Sequence, residues 1–302
     1  MTGEVVILDG GLATELEARG FDLSDRLWSA RLLLTHPDAI EDVHLDYFRA
    51  GAQVATTASY QATVPGFAAA GLDRATALAA IRTSVALARR ALERYAEELG
   101  LQTSGLRVAG SVGPYGAMLA DGSEYRDDHD PGSTVLRDVH GPRIEALVEA
   151  GADLLAFETI PTIREAEVLM RLLDGVDVPA WLSFSCRDGA STSAGEPIAD
   201  AMAVGIHPRV VAVGVNCTAP RFLPPLLAAA RGIASVPRIA YPNGGDRWDA
   251  SARRWMADAG GVFDPQTVAS WTGLGATWLG GCCGTRPAHI VALAGHVSRD
   301  AS

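Results

Sequence analysis

Residues 278–285 read Trp-Leu-Gly-Gly-Cys-Cys-Gly-Thr, a short apolar run that ends in the adjacent cysteines Cys282 and Cys283. Residues 214–217 form a second run of this kind, which ends in Cys217. Both runs have the pattern of a buried strand that delivers its last residue to the rim of a sheet. Three thiols that meet at one rim make a metal site with one coordination position left over. That arrangement is typical of a catalytic rather than a structural zinc site.

Short apolar runs recur along the whole chain and alternate with helical stretches. Most are continuously apolar, as expected of parallel strands that are covered on both faces. The predicted strands are residues 5–9, 54–59, 106–111, 154–158, 180–185, 210–216, 238–241 and 277–281. Eight such units without a linker-like interruption predict an α/β fold, a single (β/α)8 TIM barrel domain over residues 1–302. The count of eight favours the barrel over a doubly wound open sheet.

Helices are predicted where apolar residues recur every three or four positions. The clearest is residues 74–99, which Gly100 should stop. Several of the others begin with proline, a preferred first helical residue. They are residues 37–49, 142–149, 163–173, 220–231 and 287–297.

Composition and charge exclude several classes of protein. Hydrophobic residues make up 48% of the chain, and the formal net charge of −11 disfavours binding to nucleic acid or to a membrane surface. No apolar run approaches the ~20 residues of a membrane span, and residues 1–4 lack the basic start of a signal peptide. The four cysteines make a poor disulfide framework. We therefore expect a cytoplasmic protein, with no obligate protein partner evident.

Polar side chains follow the predicted strands at their carboxyl ends, where a barrel carries its active site. Asp9 and Glu158 each end an apolar run. Either they cap the following backbone turn, or they bind a cationic group such as the ammonium of an amino acid. The other candidates at this rim are Thr57, Tyr60, Tyr115, Asn216 and Asn243.

The cysteines admit more than one interpretation. A cysteine without a partner, such as Cys186, is usually a small core hydrophobe. Adjacent cysteines on a strand point to opposite faces, so Cys282 and Cys283 can share one metal only where the chain bends. The flanking glycines permit such a bend. A redox pair, a structural zinc site and a binding barrel without catalytic activity stay open as alternatives.

The motifs, taken in order, resemble the homocysteine S-methyltransferase family, and most of all its short bacterial members that use S-methylmethionine. They are residues 9–16, 51–62, 110–116, 119–125, 214–217 and 280–285. The resemblance implies a (β/α)8 barrel that holds zinc with three thiolates, which map onto Cys217, Cys282 and Cys283. Asn243 matches a position that occupies the fourth zinc site in some resting relatives.

The resemblance also implies the substrates. Asp9 and Glu158 match the carboxylates that hold the amino group of homocysteine, and we assign Thr57, Tyr60, Tyr115 and Asn216 to substrate binding as further candidates. The methyl group would pass from S-methylmethionine, or from S-adenosylmethionine, to the homocysteine thiolate and form methionine.

Simple chemistry agrees with this reaction. A free thiol with a pKa of ~8.5 is mostly protonated at neutral pH, and only the thiolate attacks. Zinc binds sulfur as the thiolate and releases a proton. One barrel uses the whole length of the chain, which favours a small sulfonium or quaternary ammonium donor. Betaine is an alternative donor because Tyr60, Tyr115 and Trp28 are aromatic and suited to face a cation. A selenocysteine-type acceptor is an alternative to homocysteine as the molecule that receives the methyl group.

Overall fold

The computed structural model describes residues 5–24, 27–100, 102–125, 131–233, 236–245, 247–249, 254–256 and 261–300. The expectation about residues 1–4, and parts of the predicted domain range 1–302, lie outside the described residues. No helix in the described part of the chain has both the length and the apolar character needed to cross a bilayer.

Parallel strands form a barrel with helices between them. Its eight strands are β1 (Val6–Ile7), β2 (Val54–Thr56), β3 (Arg107–Val112), β4 (Leu154–Ile160), β5 (Ala180–Phe184), β6 (Val210–Asn216), β7 (Arg238–Tyr241) and β10 (Ala276–Leu279). They pair in the order β1-β10-β7-β6-β5-β4-β3-β2. The two edges meet at a parallel bridge between Leu8 and Val54, where the Asp9 N–H donates to the Val54 carbonyl at 3.1 Å. The predicted (β/α)8 barrel is confirmed.

Helices cover the outside of the barrel. They are α1 (Leu12–Ala18), α2 (Ser29–Thr35), α3 (Pro37–Arg49), α4 (Val64–Ala69), α5 (Arg74–Leu99), α6 (Tyr115–Leu119), α7 (Ser133–Glu149), α8 (Ile163–Leu173), α9 (Ile198–Ala203), α10 (Leu223–Ala229), α11 (Pro265–Gly273) and α12 (Pro287–Asp300). The long helix α5 has the predicted bounds. The Asp73 carboxylate caps its first turn by accepting from the Thr76 N–H at 2.7 Å, and Gly100 ends it with a left-handed φ of 62°.

Three helix predictions were wrong in their bounds, and one of them, the helix expected over 287–297, continues to Asp300. The helix expected to begin at Pro142 begins nine residues earlier, at Ser133, and contains the proline. Its buried positions Leu136, Val139 and Ile144 continue across Pro142, so burial outweighs the ~3 kcal/mol that an internal proline costs. The helix expected over 220–231 is a 3₁₀ turn, Pro220–Phe222, followed by α10.

A short antiparallel strand pair interrupts the last barrel unit. It consists of β8 (Arg247–Asp249) and β9 (Arg254–Met256), which lie between β7 and β10. These strands were not predicted from the sequence, because each has only three residues and no alternating pattern long enough to recognise.

The interior of the barrel forms its own apolar core beneath the rim. Trp181 is fully buried there and makes edge-to-face contacts with Tyr241 and Trp278, with ring centroids 6.1 and 6.0 Å apart. Its indole N–H donates to the Tyr241 hydroxyl at 2.9 Å. This core gives the strand ends above it a rigid floor.

Candidate functional site

A cavity of about 400 Å³ opens at the carboxyl ends of the strands. Its lining brings together Asp9, Glu158, Cys217, Cys282 and Cys283, which come from the ends of four different strands. The first two carry carboxylates and the last three carry thiols. Among the described residues that line this cavity there is no arginine or histidine, so its ionisable groups are acidic or neutral.

The three thiols form the cysteine cluster, made of Cys217, Cys282 and Cys283. Their sulfur atoms lie within 4.8 Å of one another, and the sulfurs of Cys217 and Cys283 are 3.7 Å apart. Tetrahedral zinc with Zn–S bonds of about 2.3 Å places two sulfurs about 3.8 Å apart. No histidine, carboxylate or fourth cysteine of the described residues joins the cluster. The donor set therefore fits a metal ion that keeps one open coordination position.

Backbone hydrogen bonds hold the cluster together. The Cys217 N–H donates to the Tyr241 carbonyl at 3.1 Å, and Cys217 adopts a left-handed φ of 47°, which is uncommon outside glycine. The Cys282 N–H donates to the Pro242 carbonyl at 2.8 Å, and the Cys283 carbonyl accepts from the Gly244 N–H at 2.7 Å. These hydrogen bonds connect the ends of β6, β7 and β10. Cys282 and Cys283 both reach the cluster, as expected if the chain bends at the flanking glycines.

Gly281 makes the close approach that this bend requires. A Cβ atom added there would lie 2.6 Å from the Thr285 Cβ, and the Thr285 hydroxyl donates to the Cys282 carbonyl at 2.6 Å. We expect Gly281→Ala to destabilise the protein by about 1–3 kcal/mol and to weaken metal binding, because Thr285 must move and the cysteine pair with it. Urea unfolding and metal titration measure the two effects. Gly273→Ala is the control, since a Cβ there meets nothing within 4 Å; an equal loss of stability in both variants would contradict the steric explanation.

The thiols of the cluster shift one another's pKa values through hydrogen bonds. Hydrogen bonds from Cys217 and Cys282 hold the pKa of the Cys283 thiol well below its ordinary value. Hydrogen bonds to Cys217 and Cys283 raise the pKa of Cys282 well above its ordinary value. The first thiolate of the cluster therefore forms easily, and full ionisation of all three sulfurs requires a bound cation.

The two carboxylates are buried and fixed by hydrogen bonds. Asp9 accepts from the Thr56 N–H at 2.7 Å and from the Thr56 hydroxyl at 2.9 Å. Glu158 accepts from the Ser111 hydroxyl and, at 3.2 Å, from the Tyr241 hydroxyl. Burial raises the pKa of Asp9 to about 8 and that of Glu158 to about 7, against the lowering effect of these hydrogen bonds. A ligand cation would supply the positive charge that keeps both carboxylates ionised.

The other rim candidates fall into two groups. Thr57 and Tyr60 line the cavity, and the main chain at Tyr60 is held by the buried Arg143, which donates to its carbonyl at 3.1 Å. Tyr115 and Asn216 lie outside the lining in the described structure. The Tyr115 N–H donates to the Glu165 carboxylate at 2.6 Å, and the role of its side chain in substrate binding stays a prediction.

Asn216 is the last residue of β6 and Asn243 follows the end of β7, and neither of them lines the cavity. The Asn216 side chain accepts from the Thr159 N–H at 2.7 Å and donates to the Thr159 hydroxyl at 2.8 Å, which braces β6 against β4. Its role in substrate binding likewise stays a prediction. The Oδ1 atom of Asn243 is buried and has no hydrogen-bond partner among the described residues, while its N–H donates to the Thr218 carbonyl at 3.1 Å.

Several residues of the site were not found from the sequence. Tyr241 is the last residue of β7, and its position at a strand end is a signal that would have identified it. Ser111 and Thr56 also lie at or near strand ends, but serine and threonine are too common there to stand out. Tyr125 lines the cavity from a loop, where no periodicity indicates its direction.

Comparisons with known proteins agree with this geometry. The family model described as homocysteine S-methyltransferase matches residues 6–297. The homocysteine S-methyltransferase of Escherichia coli (strain K12) is 48% identical over 301 residues, which cover 96% of this chain and 94% of that protein. The selenocysteine Se-methyltransferase of Brassica oleracea var. italica is 44% identical, with 97% and 88% covered.

A solved structure also matches the fold of this chain over almost its whole length. The crystal structure of the homocysteine methyltransferase MmuM from Escherichia coli, in its metallated form, has a TM-score of 0.86 and 46% sequence identity. The match covers 97% of this chain and 96% of that one. The resemblance seen in the sequence motifs is thereby confirmed, and this chain belongs to the homocysteine S-methyltransferase family.

Proposed function

We propose that this protein transfers a methyl group from S-methylmethionine, and secondarily from S-adenosylmethionine, to homocysteine, with zinc held by the cysteine cluster. The observation that carries the proposal is the cavity itself. It presents three clustered thiols and two buried carboxylates, with no arginine or histidine among its described lining residues. Such a cavity suits substrates that bring a thiol, an ammonium group and a sulfonium cation.

The cysteine cluster gives the metal site its character. Zinc bound there supplies a Lewis acid that lowers the pKa of the homocysteine thiol, so that its sulfur is available as the thiolate at neutral pH. Three cysteine thiolates leave the site with a net negative charge, which keeps a further sulfur nucleophilic. Asn243 is our candidate for the fourth ligand in the absence of substrate, because its buried Oδ1 has no other partner among the described residues.

The carboxylates orient the acceptor. Asp9 and Glu158 bind the ammonium group of homocysteine. Its positive charge favours the ionised form of both carboxylates, which burial disfavours. Thr56, Ser111 and Tyr241 hold the carboxylate oxygens in place by donating hydrogen bonds. The acceptor is then held at both ends, with its sulfur at the cluster and its amino group at the carboxylates.

The reaction needs no nucleophile from the protein. The homocysteine thiolate forms a bond to one methyl carbon of S-methylmethionine, and the bond from that carbon to the sulfonium sulfur breaks. Two molecules of methionine result, and the proton of the original thiol is released. Trp28 and Tyr60 line the cavity with their rings edge to face at 6.2 Å, and aromatic faces stabilise a sulfonium cation. We place the reaction in the reducing cytoplasm, within one barrel domain over residues 1–302.

The test combines metal content and product formation on one preparation. We expect one zinc per chain, and two methionines for each S-methylmethionine consumed with homocysteine. S-Adenosylmethionine and betaine are assayed in parallel. Metal binding without methyl transfer from any of the three donors would overturn the reaction. A protein purified reduced and without chelator that holds no zinc would overturn the metal assignment.

Selenocysteine is a second candidate acceptor. The 44% identity to the Brassica protein, whose name states that acceptor, favours it. A selenol ionises more readily than a thiol and depends less on activation by the metal. Comparing kcat/KM for homocysteine and selenocysteine with the same donor identifies the better acceptor.

A further inference from the structure

A short loop places a tyrosine at the mouth of the cavity. The Ser123 N–H donates to the Asp121 carboxylate at 2.9 Å, and the Ser123 hydroxyl donates to the Gly116 carbonyl at 3.3 Å. The Tyr125 N–H donates to the Gly122 carbonyl at 3.2 Å, which closes a 3₁₀ turn. These hydrogen bonds fix the loop internally, so the direction of the Tyr125 side chain is set by the loop.

The Tyr125 hydroxyl reaches the cysteine cluster. Its oxygen lies 3.0 Å from the Cys217 sulfur, which is hydrogen-bond distance for an O–H and a sulfur atom. The residue as a whole is 43% exposed, so the ring covers the mouth while the hydroxyl faces inward. A cysteine that ligates a metal is a thiolate and has no proton to give. The phenol must therefore be the donor in this contact whenever the metal is bound.

We propose that Tyr125 is a positioning residue for the metal site, whose hydroxyl donates a hydrogen bond to the Cys217 thiolate. The proposal rests on the proposed zinc site. A hydrogen bond to a thiolate withdraws electron density from the sulfur, so it weakens donation to the metal and makes the sulfur less reactive toward electrophiles. Tyr125 therefore controls the electronic character of one ligand of the three.

Among the three proposed ligands, Cys217 depends most on a hydrogen-bond donor from the protein. It is the one buried member of the cluster, whereas Cys282 is half-buried and Cys283 is exposed. Water stabilises an exposed thiolate, but a buried thiolate depends on donors supplied by the protein. The Tyr125 hydroxyl supplies such a donor from a loop that belongs to neither β6 nor β10, the two strands whose ends carry the thiols.

Replacing zinc by cobalt tests the proposal, because the absorption bands of the cobalt–thiolate bonds report on the electron density at the sulfurs. Tyr125→Phe keeps the ring and removes only the hydroxyl. We expect the variant to bind one cobalt ion as the unmodified protein does, with its thiolate-to-cobalt absorption bands moved to longer wavelength. In the zinc-loaded protein, we expect iodoacetamide to alkylate Cys217 about tenfold faster in the variant, as peptide mapping will show.

Tyr95→Phe is the matched control. Tyr95 lies on α5 and stacks on Phe48 with ring centroids 6.0 Å apart, far from the cysteine cluster. We expect its bands and alkylation rate to equal those of the unmodified protein. Equal bands and equal alkylation rates in Tyr125→Phe and Tyr95→Phe would overturn the proposal.

Two other outcomes are separable. Loss of the metal in Tyr125→Phe alone would make the phenol oxygen a ligand rather than a donor, and would overturn the proposal while leaving the metal site intact. Failure of the unmodified protein to develop thiolate-to-cobalt bands would overturn the proposed function and this inference together. Far-ultraviolet circular dichroism on each variant separates these results from misfolding.

Discussion

Replacing any one residue of the cysteine cluster by serine should remove the metal and lower methionine formation by roughly 10³-fold or more. Each of Cys217, Cys282 and Cys283 contributes one of the three clustered sulfurs that we propose as zinc ligands. A serine hydroxyl does not ionise near neutral pH and is a poor zinc ligand. Without the metal, the homocysteine sulfur loses both its activation and its fixed position. Zinc analysis and steady-state rates on the three variants measure the two losses.

Cys186 provides the matched control for these variants. Burial raises the pKa of its thiol to about 12, and its sulfur does not belong to the cluster. We expect Cys186→Ala to keep full zinc content and full activity, with a modest loss of stability from the smaller side chain. Turnover retained in any one of the serine variants would show that this sulfur is not a ligand. Loss of zinc in Cys186→Ala would instead favour a structural site with four cysteines.

Asp9→Asn should raise the KM for homocysteine about 10- to 100-fold and leave the zinc in place, because it removes a hydrogen bond between charged groups. The same change should raise the melting temperature of the protein without substrate. Burial lifts the pKa of Asp9 from 3.8 to about 8, so the folded state binds this proton more tightly than the unfolded state does. The stability penalty of an ionised Asp9 is absent below about pH 4 and grows until about pH 8. Asparagine removes this penalty. Its Oδ1 can still accept from the Thr56 N–H, and its Nδ2 can donate to the Thr56 hydroxyl, which reverses the second hydrogen bond.

The measurement is a pair of melting curves at pH 6 and pH 9, with homocysteine kinetics on the same preparations. The gain in melting temperature of Asp9→Asn over the unmodified protein should be larger at pH 9. Glu149→Gln is the control, since Glu149 forms an exposed ion pair with Arg82 at 2.7 Å and should change neither quantity appreciably. An unchanged KM for homocysteine in Asp9→Asn would remove Asp9 from the acceptor site.

The barrel was predictable from the sequence because its strands are continuously apolar and its longer helices carry clear boundary residues. The predicted bounds of β6, β7, α3, α5 and α8 agree with the structure. The short helices α1, α2, α4, α6 and α9 were missed, since five to seven residues do not establish a helical period and tertiary contacts decide their conformation. The nine-residue helix α11 was missed as well. The predicted start of α7 at Pro142 was wrong for a related reason, because burial along the helix outweighs the local preference of proline for a first helical position.

The clustering of the three cysteines could be predicted from the sequence, whereas the side chains that support the site could not. The carboxyl ends of the strands of a barrel all lie on one face, so thiols that follow two of these strands are expected to lie on that face. The donors to Asp9 and Glu158 are serine, threonine and tyrosine side chains, and their roles depend on directions that only the folded chain defines. Tyr125 is the extreme case, because a loop without periodicity brings it to Cys217.

The pairing of β1 with β10 has a consequence for how the protein is synthesised. The Gly11 N–H donates to the Thr285 hydroxyl at 3.1 Å, across 274 positions of the chain. A chain still growing on the ribosome at about 5–20 residues per second exposes Cys217 several seconds before Cys282 exists. It holds one of the three thiols during that time, and it can neither close the barrel nor assemble the cysteine cluster. On the proposed function, a nascent or truncated chain is therefore expected to be inactive, and the uptake of one metal ion would report that translation and folding are both complete.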